Sequence, residues 1–176
     1  MFFNDDIYRF SVTGSMRHLM DLTIEPALRD PAIQFQIHLT KDNEMRVYWR
    51  KTILDSKLFS LIRNSGADIT RCTSLHEAVC LPEVQQALLQ EAPIESCAAD
   101  QPGRQIVQSA LNATLPPDPQ KHFGYDGHHY FFSIYEPNPR TLACGCALPQ
   151  EWDPLAPLIT YLIQLAQLDP KCYGPI

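Results

Sequence analysis

The residues with the most chemistry to offer sit close together late in the chain. His122, His128 and His129 lie near Asp126, with Cys144 and Cys146 a short way on. Imidazole, carboxylate and thiol groups are the usual zinc donors, but a site needs three or four of them converging on one point. The spacing argues against convergence. His128 and His129 are neighbours in a stretch that reads as a strand, so their side chains leave on opposite faces. Cys144 and Cys146 do share a face, but it is the apolar one, where small thiols behave as hydrophobes. The enzymatic alternative is a small His/Asp/Cys site around residues 122–146, with Cys144 as nucleophile, His129 as base and Asp126 orienting it. No recognised nucleophile signature surrounds these residues. The chain has no Gly-rich phosphate loop, no Gly-x-Ser-x-Gly, no His-Glu-x-x-His and no calcium loop, and only seven glycines from which to build one. No catalytic residue, metal or cofactor is therefore assigned.

A second set of residues suits recognition rather than reaction. Arg46, Tyr48 and Arg50 alternate with Met45, Val47 and Trp49, and His38 alternates with Ile37 and Leu39. Arg and Tyr are enriched in protein interfaces. The plainer explanation is an antiparallel sheet with one wet face, which has the same pattern.

The elements that must position these groups follow from periodicity. Ile33, Phe35, Ile37 and Leu39 alternate with polar residues, and so do Met45, Val47 and Trp49. Keeping both apolar sets on one face requires a loop of odd length. A Lys41-Asp42-Asn43 loop pairs Leu39 with Met45, Ile37 with Val47 and Phe35 with Trp49, and Asn43 tolerates the left-handed backbone such a loop needs. A second hairpin runs through Tyr130, Phe132 and Ile134, the loop Glu136-Pro-Asn-Pro-Arg140, and then Leu142, Cys144, Cys146 and Leu148. Ile7 to Thr13 reads as an N-terminal strand. Ser15 is placed to cap a helix through Met16, Leu19, Met20, Thr23 and Ile24, which are spaced by three and four. Further helices are expected over Ser56–Asn64, over Ser74–Gln90 with a break near Pro82, and over Arg104–Leu115. Residues 92–103 read as a loop. The longest apolar helix starts at Asp153-Pro154 or at Pro157, carries Leu155, Leu158, Ile159, Leu162 and Ala166, and stops at Asp169-Pro170. Gln164, Gln167 and the flanking prolines exclude a membrane span there.

These elements make an α+β fold: an antiparallel sheet built from two hairpins and an N-terminal strand, with helices packed against it. At 176 residues the chain suits one domain, with the Pro116-Pro117-Asp118-Pro119 connector as the only internal boundary. The start, Met1-Phe2-Phe3-Asn4-Asp5-Asp6, lacks a basic, then apolar, secretory signal, so a cytoplasmic location with reduced cysteines is expected, while the even count of six cysteines leaves a trimmed secreted form as the alternative.

Charge narrows the partner class. Residues 1–71 carry ten basic and nine acidic groups, residues 72–103 carry five acids and no Lys or Arg, and residues 104–176 carry four basic and six acidic groups. Nearly all of the net charge of −6 therefore belongs to one segment. That opposes nucleic-acid binding, which needs cations against phosphates. It suits a basic protein partner, although a solvated helical face would have the same composition.

The C-terminal pattern Tyr125-Asp126-Gly127-x-x-Tyr130, then Pro149-x-x-Trp152-x-Pro154-Leu155 opening an apolar helix, resembles that of small bacterial proteins, some of them similar to toxin-neutralising immunity proteins. The resemblance covers roughly the last third. It implies a rigid cytoplasmic scaffold that covers a basic toxin domain, and it transfers no site residue, because immunity families share no catalytic ones. The expected function is thus non-enzymatic sequestration of a protein partner. The contact residues named on this reading are Glu83, Glu91, Glu95 and Asp100, with Arg46, Tyr48 and Arg50. An edge-to-edge homodimer through an exposed hairpin is a further option.

Overall fold

A computed structural model of the chain describes residues 17–26, 31–115, 128–146 and 148–175. Six strands form one sheet: β1 (Arg17–Glu25), β2 (Ile33–Leu39), β3 (Met45–Lys51), β4 (Glu95–Ala98), β5 (His128–Ile134) and β6 (Arg140–Cys146). Their order is β4-β3-β2-β1-β5-β6, and every pairing is antiparallel. The fold is α+β, with β1 joining the two hairpins.

The β2–β3 hairpin has the expected register, with Leu39 opposite Met45, Ile37 opposite Val47 and Phe35 opposite Trp49. Asn43 takes a φ of 57°, and Thr40 closes the loop by accepting from the Asn43 amide at 3.0 Å. In the second hairpin Phe132 lies opposite Leu142 and Tyr130 opposite Cys144, so its apolar residues also share a face.

Two elements differ from expectation. Residues 17–25 are a strand, not part of a helix; the strand expected over residues 7–13 lies outside the described residues. The misleading three-and-four spacing has a local cause. The β1–β2 register shifts between His18 and Met20, and Leu19 and Met20 are both buried. Two successive apolar residues at a bulge, followed by Leu22 and Ile24, imitate a helical stripe. Pairing on both edges, to β2 and to β5, then decides for strand. The second difference is β4, which lies inside the stretch read as a loop. Glu95-Ser96-Cys97-Ala98 has neither alternation nor β-branched residues. It is held by the free edge of β3, with the Ala99 amide donating to Met45 O at 2.8 Å where the ladder ends.

One face of the sheet carries Met20, Leu22, Ile24, Ile33, Phe35, Ile37, Val47, Tyr130, Phe132 and Ile134, each 2 % exposed or less. Against it pack α4 (Gln101–Asn112), a 3-10 turn (Gln150–Leu155), α5 (Ala156–Leu165) and α6 (Pro170–Tyr173). Pro157 falls in the first turn of α5, so the α-helix starts there and the Asp153-Pro154 segment is the tighter turn before it. Helix α5 ends before Asp169: Gln167 adopts a φ of 53° and turns the chain, and Asp169 caps α6 instead.

Between β3 and β4 the chain makes a helical excursion through α1 (Asp55–Asn64), a 3-10 turn (Ile69–Arg71), α2 (Leu75–Val79) and α3 (Pro82–Glu91). The expected break falls at Pro82, and Ser74 caps α2 by accepting from the Glu77 amide at 3.2 Å. Leu58, Ile62, Ala78, Val79, Val84 and Leu88 make a small core of their own, separate from the main one. No helix of the described residues is long and apolar enough to cross a membrane.

Leu22 is 1 % exposed at the centre of the sheet, whereas Leu54, at the entrance to the excursion, is 47 % exposed. Leu22→Ala is expected to cost about 3 kcal/mol by urea denaturation. Leu54→Ala should cost about 0.5 kcal/mol or less.

Candidate functional site

The polar groups collect on the other face of the sheet. Paired residues share a face, so the registers place His18, His38 and Arg46 in one row across β1, β2 and β3, and Asp21, Gln36 and Tyr48 in the next. Gln34 and Arg50 follow with Thr23, which lies opposite Phe131 of β5. Neither buried apolar cluster of the described residues includes a side chain of these rows.

The first row is a stack of rings. Tyr135, just beyond β5, is held by its amide donating to Leu19 O at 2.9 Å. Its ring lies 4.3 Å from that of His18, nearly parallel; His18 stacks on His38 at 4.6 Å and 12°; and His38 meets Tyr48 edge-on at 5.3 Å. Asp21 ties one end together. Its Oδ2 accepts from the Tyr135 hydroxyl at 2.7 Å, and its Oδ1 lies 2.7 Å from His18 Nε2. This gives an oriented imidazole and an oriented phenol bridged by one carboxylate. The arrangement can position a proton, but both carboxylate oxygens are already engaged.

His38 is the more buried of the two histidines. It is 6 % exposed, and neither ring nitrogen has a hydrogen-bond partner among the described residues. Burial, and secondarily the neighbouring His18, push its pKa down to about 4, against an opposing pull from Asp21. At neutral pH His38 is an uncharged plate between two rings. Burial likewise raises the Tyr48 hydroxyl, with Arg46 pulling the other way.

The residues named from the sequence distribute as follows. Arg46, Tyr48 and Arg50 do share the outer face, but it is not wet there. Tyr48 is 7 % and Arg50 3 % exposed, and Arg46 is half-buried, with its Nε 3.9 Å from Glu44. Of the acids, Glu83 is exposed in the first turn of α3, where a helix dipole favours a carboxylate. Glu91, at the end of α3, pairs with Lys57 of α1. Glu95 is exposed on β4, opposite Trp49. Asp100 caps α4: it accepts from the Gly103 amide at 2.8 Å and from the Tyr161 hydroxyl at 3.3 Å. A Cβ on Gly103 would collide with the Tyr161 hydroxyl, so the glycine leaves room for that hydroxyl beside Asp100. The sheet face and the acidic segment are thus two separate regions.

In the C-terminal hairpin, His122 and Asp126 lie outside the described residues. His128 is buried on the core side against Tyr130, and His129 lies on the outer face 4.0 Å from Glu25. Cys144 lies opposite Tyr130 and is 2 % exposed, so the sheet stands between its thiol and His129. No group of three His, Cys, Asp or Glu side chains among the described residues is arranged to hold a metal.

No known protein family, curated protein or solved structure matches this chain. The reading of function therefore rests on geometry.

His18, Asp21 and Tyr135 were not singled out from the sequence. For Asp21 a signal was available in the alternation of Asp21 and Thr23 with Leu22 and Ile24, which marks an outer face once residues 17–25 are read as a strand.

The His38 geometry predicts a pH dependence. With the folded-state value near 4 and an ordinary unfolded value near 6.5, the unfolded chain binds the extra proton between those limits. The contribution of neutral His38 is complete above about pH 6.5 and falls by up to about 3 kcal/mol as pH drops through 4. His38→Leu should flatten the pH dependence of urea stability over this range. An NMR titration placing the His38 pKa near 6.5 in the folded protein would contradict the assignment.

Proposed function

We propose that this protein acts by binding and sequestering a protein partner, without chemistry of its own. The observation that carries this reading is the exterior of the helical excursion. Phe59 is 57 %, Leu54 47 %, Leu89 39 % and Ile69 38 % exposed, although the excursion already has a buried core for its apolar residues. Large apolar side chains left outside such a core are suited to become the dry centre of an interface. The segment from residue 72 to 103, which contributes Leu89, carries acids and no Lys or Arg. Acidic rims speed and select association with basic surfaces. Glu83 and Glu95 are the acids most available for this, since Glu91 and Asp100 are engaged within the chain.

The most specific form of the reading is an immunity protein that neutralises a bacterial toxin with a basic surface. The acidic bias and the C-terminal resemblance support it. Arg46, Tyr48 and Arg50, being half-buried or buried, serve in this account to stiffen the sheet.

Affinity capture followed by titration with the captured protein is the test. Phe59→Ala and Glu83→Lys should each weaken binding at least tenfold while leaving thermal stability close to that of the parent protein. Co-expression with a toxic partner should relieve toxicity. Failure to capture any partner, or undiminished binding by both variants, would remove the reading.

A further inference from the structure

A cavity of about 290 Å³ opens where the helical excursion meets the sheet. It is lined by Ile33, Trp49, Arg50 and Lys51 from β2 and β3, by Glu91, Ala92, Pro93 and Glu95 leading into β4, and by Ala166, Gln167 and Leu168 after α5. The registers explain the arrangement. Ile33 faces Lys51, and Trp49 faces Glu95, so all four side chains lie on the helix-bearing face, where the end of α5 meets the sheet. Lys51, Glu91, Pro93, Glu95 and Gln167 are exposed, which puts the mouth in solvent, while Ile33, Trp49 and Ala92 are buried and form the apolar wall.

Three features of this lining select a guest. First, size: it lies at the small end of the roughly 300–1,000 Å³ of ligand pockets, which limits the guest to something like a single small metabolite. Second, charge of both signs: Glu91 is engaged by Lys57, leaving Glu95 on one strand and Lys51 on the next with no ion pair between Lys and acid among the described residues at either position. Third, the C-terminal ends of α3 and α5 both border the cavity, at Ala92 and Ala166, and helix C-termini favour a positive group.

We propose that the cavity binds a small zwitterion of the α-amino-acid type. The ammonium is taken by Glu95 and the two helix ends, the carboxylate by Lys51, and the apolar side chain by the Trp49–Ile33 wall. A simple cation would leave Lys51 as repulsive lining, and a simple anion would meet Glu91, Glu95 and both helix ends. Only a guest with both charges uses the whole surface. This site is distinct from the exposed apolar side chains of the excursion and goes beyond partner binding.

The experiment removes one charge at a time from guest and host. The full-length protein is titrated with L-leucine, N-acetyl-leucine (no ammonium) and leucinamide (no carboxylate), following the indole N–H resonance of Trp49 by NMR. Leucine should give a saturable shift, and each one-charge probe should bind at least tenfold more weakly. Glu95→Gln should erase the penalty for acetylation alone, and Lys51→Met the penalty for the amide alone; both residues are exposed, so the fold tolerates the changes. The proposal is overturned by no saturable shift at millimolar leucine, by equal binding of all three probes, by binding that follows the ammonium alone, or by either variant leaving its penalty intact.

Discussion

The sheet depends on the hydrogen bonding of β1 along both of its edges. Without β1 the chain has no single sheet, only β2–β3–β4 on one side and β5–β6 on the other. The two-stranded β5–β6 hairpin alone is marginal in water. Joined through β1, the inner faces of the two parts become one continuous apolar surface on which α4 and α5 close, and that surface is what the protein buries. The same strand builds the polar side. His18 and Asp21 belong to β1, and the β1–β5 pairing is what brings Tyr135 over His18. One constraint thus produces both the core and the ring stack.

The elements legible in the sequence are those specified by local contacts. The β2–β3 hairpin could be read down to its register because alternation, loop parity and Asn43 all point the same way. The breaks at Pro82 and Pro157 follow from the missing amide and fixed φ of proline. What could not be read is what depends on distant partners. β1 looks helical because of a bulge, and it becomes a strand only when β2 and β5 flank it. β4 has no strand character of its own and exists because β3 has an edge to offer. A residue-by-residue reading weighs propensity, while tertiary pairing overrides it.

The candidate site was legible in the same proportion. Register placed Arg46, Tyr48, Arg50 and His38 on one face, as expected. Their depth was not foreseeable, because exposure depends on what lies over and beside a residue and not on which way it points. His18 and Tyr135 are separated by most of the chain and become neighbours only through the sheet. The acidic segment was visible as composition, but the roles inside it were not. Asp100 looks like a surface charge in the sequence, and in the fold it is a helix cap shared with Tyr161.

The helical excursion leaves from one end of β3 and returns to pair, as β4, with β3 itself. Its ends are therefore fixed by the same strand, and its small core borrows nothing from the main one. The entropy of closing such a detour rises only with the logarithm of its length. Insertions, deletions and rewritten helices between Lys51 and Glu95 can accumulate at little cost to the scaffold. A lineage could retarget the molecule by exchanging this detour wholesale while the strands beneath it stay as they are.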